Sequence, residues 1–131
     1  MNTSNSSVAP NGDITIGTTF SAEFVEKIVR DIMDNCPECS SGLTCIGYKY
    51  KEMLFTFVDE EDGKKIVLDK AKLMAAFPLL FTDKYPKGCG PRPPLVNHDD
   101  KGEWDTWLCD SDATSFDAFI QLAAFGEVIY G

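Results

Sequence analysis

The chain predicts an α+β domain, on three observations. Residues 44–69 carry the one long stretch with a two-residue apolar period. Residues 22–35 carry a helical apolar stripe, and residues 70–81 and 115–125 hold two further helical segments. Helices with one apolar side before and after an antiparallel meander fold by laying that side on the sheet.

The meander comes first. In the strand expected over 44–51, Ile46, Tyr48 and Tyr50 fall on one face and Gly47, Lys49 and Lys51 on the other; successive strand side chains point to opposite sides. The next strand, 53–58, is apolar on both faces and belongs in the centre. Asp62-Gly63 then makes a hairpin before a third strand over 64–68, because glycine accepts positive φ at little cost.

Upstream, residues 1–12 are rich in Ser and Asn and read as a flexible arm, leaving 13–131 as a single domain. Ile14 and Ile16 suggest a short strand. Ser21 is the expected N-cap of the helix over 22–35, with Phe24, Ile28 and Ile32 repeating every four residues. Downstream, Asp69 caps the segment 70–81, which Pro78 interrupts. Trp104 and Trp107 share one face if 103–110 is helical; a strand is the alternative. Thr114 and Asp117 suggest a capping box for the helix over 115–125, and Gly126 terminates it.

Charge bounds the partners. The chain has 131 residues and a net charge of −9. That balance argues against direct binding of nucleic acid or of an anionic membrane. No basic, apolar leader opens the chain, and no run approaches the roughly 18 apolar residues of a membrane span, so a cytoplasmic protein is expected. The acid is uneven: after Lys101 there is no Lys or Arg, but Glu103, Asp105, Asp110, Asp112, Asp117 and Glu127 follow. Together with Asp99 and Asp100 these carboxylates form a candidate acidic docking surface for a protein partner with a basic face. For any single carboxylate, a solvated surface is the plainer account.

Residues 83–102 form a loop with four prolines and three glycines. A loop that long in a small domain is usually functional or disordered. Tyr85, Arg92 and His98 within it, with Trp104 after it, are the candidate loop contacts. Open sheet edges, and the Val128-Ile129-Tyr130 end, also allow a homodimer.

The cysteines stand at 36, 39, 45, 89 and 109, an odd set that favours reduced thiols. Cys36-Pro37-Glu38-Cys39 has the spacing of a zinc half-site, which two more ligands would have to complete. No other cofactor motif is present. Cys89 and His98 are the one imaginable nucleophile–base pair.

No catalytic motif is specific, so a non-enzymatic function is expected: a small acidic binding protein or inhibitor that occludes its partner. A phage or mobile-element inhibitor of a host nucleic-acid machine, of anti-CRISPR or anti-restriction type, is its concrete version. The alternatives are a zinc-stabilised adaptor using Cys36 and Cys39, and a small ligand-binding protein or enzyme with its site around the 83–102 loop.

Overall fold

The computed structural model describes residues 7–16, 18–35, 42–96 and 102–130. Its order is β1 (Ser7–Val8), β2 (Ile14–Thr15), β3 (Thr19–Phe20), α1 (Ala22–Asn35), β4 (Leu43–Lys49), β5 (Leu54–Asp59), β6 (Lys65–Leu68), α2 (Lys70–Ala76), α3 (Glu103–Asp110) and α4 (Ala113–Phe125). The α+β class and the meander are as expected: β4, β5 and β6 pair antiparallel in that order, with the aromatic strand central.

The N-terminal segment departs from expectation. Within the span read as an arm, β1 pairs with β2, and β2 with β3, in a second small antiparallel sheet. Residues 1–6 lie outside the described residues. Asp13 fixes the entry to α1, its Oδ1 accepting from the Ala22 amide at 3.0 Å. Ser21 Oγ caps the helix as predicted, accepting from the Phe24 amide.

α1 buries Val25, Ile28, Val29, Ile32 and Met33 completely. Five such side chains on one stripe supply most of the reason for the helix to form, each contributing about 1.5–3 kcal/mol on burial.

β4 corrects the expected face. The register slips between Cys45 and Gly47, leaving Ile46 as an extra residue opposite β5. The inward side chains are then Leu43 and Cys45, while Ile46 is 52% and Tyr48 60% exposed. Strand β4 ends at Lys49, and Tyr50–Glu52 turn in a 3-10 helix instead of continuing it. Met53 closes that turn at φ 52°. On β5, Phe55 and Phe57 enter the core, with Leu68 and Ile66 of β6 opposite them.

Asp69 caps α2 as expected, accepting from the Lys72 amide at 2.9 Å. Pro78 ends the α-helical geometry, and Phe77–Phe81 continue as a 3-10 helix.

α4 is the central helix. Residues Ser115 to Leu122 are all buried, polar ones included. Its cap is Asp112, not Thr114: Asp112 Oδ1 accepts from the amides of Thr114 and Ser115, and Ser115 Oγ reaches back to the Asp112 amide. The helix therefore starts at Ala113.

The fully buried Gln121 gathers the C-terminal tail onto α4. Its Oε1 accepts from the amides of Ile129 and Tyr130, both at 2.8 Å, and its Nε2 donates to Tyr130 O and Asp117 Oδ2. The tail thus tucks in without adding a strand. Tyr130 then donates its hydroxyl to Asp59 Oδ1 at 2.7 Å, tying the tail to β5. That bond to a carboxylate, with burial adding to it, pushes the Tyr130 phenol up to about 12. The Tyr130 ring lies so close to Gly42 that a Cβ there would meet it at 2.2 Å.

Candidate functional site

Two tryptophans build the site by holding the proline-rich loop down. Glu103–Asp110 is helical, so Trp104 and Trp107 do share a face, and that face is buried. Trp104 packs among Phe20, Phe24, Phe77 and Phe81, with ring centroids 5.7–6.3 Å away. Trp107 meets it edge-on at 5.5 Å. Each indole also needs a hydrogen-bond acceptor once buried. Trp104 Nε1 donates to Val96 O at 2.7 Å, and Trp107 Nε1 donates to Pro91 O at 2.9 Å. Prolines cannot donate amide hydrogen bonds, so the loop's free carbonyls are available for this work.

Three more bonds pin the same loop. Arg92 Nη1 donates to Thr82 O at 2.9 Å, with its guanidinium 5.8 Å from the centre of the Tyr85 ring. Thr18 Oγ1 donates to Leu95 O, and Ser115 Oγ donates to Cys89 O at 2.6 Å. Gly90 permits that last approach: a Cβ would stand 2.1 Å from Ser115 Oγ, and its φ is 147°. Residues 83–96 are thus a loop lashed to the domain.

A groove of about 310 Å³ remains between loop and helix. Pro91, Arg92 and Pro94 form its loop wall; Glu103, Thr106, Trp107 and Asp110 form its α3 wall. Those four helix residues sit at i, i+3, i+4 and i+7, which is one helical face. Glu103 Oε1 is shielded from solvent and has no hydrogen-bond partner among the described residues.

The electrostatics are one-sided. Between Gly102 and Tyr130 there is no lysine or arginine, against six carboxylates. Asp105, Asp110, Asp112 and Glu127 are exposed. Asp110 stands in the last turn of α3, where no basic residue offsets the negative end of the helix dipole.

Several sequence candidates change standing. Tyr85 and Trp104 are fully buried and Asp117 is 6% exposed, so none of the three lies on the open surface. Tyr85 and Trp104 are core residues, and Asp117 accepts from Gln121. Glu103 and Asp110 line the groove together with Arg92, while Asp105 and Asp112 are exposed outside it. Cys36, Cys39, His98, Asp99 and Asp100 lie outside the described residues.

Of the described free thiols Cys45, Cys89 and Cys109, Cys89 is the one on the proline-rich loop. Burial pushes this thiol above its usual range, and the carboxylates of Asp117 and Asp112 push it further. A nucleophilic cysteine needs the opposite environment. Among the described residues no three His, Cys, Asp or Glu side chains gather to hold a metal ion. No helix among them is long and apolar enough to cross a membrane.

The groove residues Pro91, Pro94 and Thr106 were not singled out from sequence. A helical projection of 103–110 is the signal that would have found Thr106, since it places that residue beside Glu103 and Asp110. Nothing local marks the two prolines.

Comparison with protein-family models, with curated proteins and with solved structures finds no match to this chain.

Proposed function

We propose that this chain is a binding protein that acts by occlusion, docking the acidic α3–α4 corner onto the basic surface of a protein partner. The observation that carries the reading is the exposed set Asp105, Asp110 and Asp112, in a stretch from Gly102 to Tyr130 with no lysine or arginine. An acidic patch on a rigid corner speeds encounter with a basic partner and discriminates against acidic ones. Basic protein surfaces are commonly those that hold nucleic acid phosphates. The concrete version is therefore a phage or mobile-element inhibitor that covers the nucleic-acid site of a host machine, of anti-CRISPR or anti-restriction type.

The test is capture from a bacterial lysate on immobilised protein at about 0.05 M and about 1 M salt, with mass spectrometry of the eluate. Exposed charge pairs are strongly screened at the higher value. The expected result is a nucleic-acid-binding protein retained only at low salt and displaced by added nucleic acid. It should be lost with the double variant Asp105→Asn, Asp110→Asn. Retention of nothing basic, or retention indifferent to salt and to the double variant, overturns the reading.

A further inference from the structure

Three features compete for a second assignment. The depression along α1 has Glu26, Lys27, Arg30 and Asp31 paired with one another, leaving the exposed Glu23 as its one other charge. The apolar groove of about 540 Å³ between β1–β2 and α2 offers one cation, Lys70, which is already bound to Glu26. The α3 groove differs from both, because it combines a recess with an unsatisfied charge.

We infer that the groove between Pro91–Pro94 and α3 is the socket for an arginine side chain of the partner. This rests on the acidic-docking reading and names the chemistry at its centre. Three observations favour an occupant, and that occupant.

The first is Glu103 Oε1, shielded from water and without a partner. A carboxylate oxygen left so carries a desolvation cost that a cationic donor removes. The second is Asp110, two helical turns along the same face from Glu103, roughly 10 Å of helix rise away, at the negative end of α3. A guanidinium paired with Glu103 does not touch it, but Asp110 adds to the negative field along the groove. The third is the shape. Two prolines and the Trp107 indole wall a recess of about 310 Å³. A planar guanidinium fits such walls and pairs with a carboxylate through two parallel bonds, which an ammonium cannot do. Arg92, the cation already in the groove wall, is turned to Thr82 O and to the Tyr85 ring. Its Nη1 is engaged there, and the rest of the side chain forms part of the wall.

The probe is a short arginine-rich peptide, titrated into the full chain by calorimetry at about 0.05 M salt, with a lysine peptide of the same length alongside. Four variants are compared, each checked for an unchanged melting transition. Glu103→Gln weakens arginine-peptide binding by about tenfold or more, the scale of one charged hydrogen bond, and Asp110→Asn, acting through its field from two turns away, weakens it less. Asp105→Asn, on the exposed side of the same helix, weakens it less than about threefold, as exposed pairs do. Asp34→Asn, the same charge change on exposed α1, leaves it as it was. The lysine peptide binds more weakly than the arginine peptide.

Equal losses from Glu103→Gln and Asp105→Asn, or equal affinity for the two peptides, overturn the socket while leaving the acidic surface standing. Binding that is absent from the unmutated chain at low salt overturns both.

Discussion

α1 and α3 are both helices with an apolar side under the aromatic cluster and an acidic side facing out, yet their charges are arranged in opposite ways. On α1, Glu26 accepts from Arg30 at 2.9 Å and is bridged by Lys70 of α2, while Lys27 pairs with Asp31. Arg30 also donates to the carbonyls of Tyr50 and Lys51, joining the helix to the turn after β4. On α3, Glu103 Oε1 is buried without a hydrogen-bond partner among the described residues, and Asp110 sits in a last turn that holds no basic residue. The same residue type is therefore part of the scaffold in one helix and left over at these two positions of the other. Surplus charge of one sign weakens a compact fold through self-repulsion, and a partner of opposite charge removes that repulsion.

The inner sides of the two helices are where the largest effect is expected. Trp104 is fully buried and touches Phe24 of α1 at 6.0 Å between ring centres. Trp104→Ala should lower stability by about 3–5 kcal/mol, the cost of emptying a large aromatic site. Phe24→Ala removes a half-buried ring and should cost about 1–2 kcal/mol. Urea unfolding followed by circular dichroism gives both values. A larger loss from Phe24 would mean that α1, not α3, anchors the cluster.

The next effect separates a structural carboxylate from the surplus ones. Asp112 lies in the acidic corner but caps α4 through the amides of Thr114 and Ser115. Asp112→Ala should cost about 1 kcal/mol, in the range of measured N-cap losses. Asp110→Asn, a carboxylate of the same corner that caps no helix N-terminus, should not lower stability at all. Thermal melts of the pair decide it, and equal values would erase the distinction between them.

How much of this was legible in the sequence follows the same divide between local and distant causes. α1 was readable to its ends because its stripe, its Ser21 cap and its i, i+4 charges all lie within the segment. The meander's strand order was readable from Asp62-Gly63 and from the doubly apolar β5. The bulge at Ile46 was not, because the apolar series Ile46, Tyr48, Tyr50 runs straight through the one residue at which the pairing changes phase. Nor was the cap of α4. Thr114 and Asp112 are both capping residues, and the choice fell to Asp112 when Ser115 turned to both it and Cys89 O. Asp117 read as a surface carboxylate because what buries it is Gln121, whose own place on α4 is fixed by the distant tail. The exposed half of the acidic corner was legible as charge. Its groove was not, because one wall comes from a loop whose position depends on two indole hydrogen bonds to distant carbonyls.

A smaller effect, with a definite pH dependence, belongs to Glu26. Lys70 and then Arg30 hydrogen-bond to this carboxylate and hold it below its ordinary value. A lowered folded-state pKa means the contribution is present above the unfolded-state value of about 4.3 and fades as pH falls through the lowered one. The pairs are part exposed, so the whole contribution should stay below about 1 kcal/mol. Glu26→Gln should lower the melting temperature at pH 7 and lose that difference progressively below about pH 4. An undiminished difference in acid would show that Glu26 acts through packing.

Asp110 should give the smallest effect and the opposite sign. It adds a negative charge to the negative end of α3, with no basic residue in that turn. Removing it as Asp110→Asn relieves a repulsion of about 0.3–1 kcal/mol before salt screening, so the chain should melt at the same temperature or slightly higher. Glu26→Gln and Asp110→Asn thus make the same change of charge and should move stability in opposite directions at neutral pH. The gap between them should shrink as salt rises, because both terms are electrostatic and near the surface. If Asp110→Asn instead lowers the melting temperature at low salt, that carboxylate supports the fold, and α3 is a second α1. If it does not, a side chain that works against its own helix is what a surface shaped for a cationic partner requires.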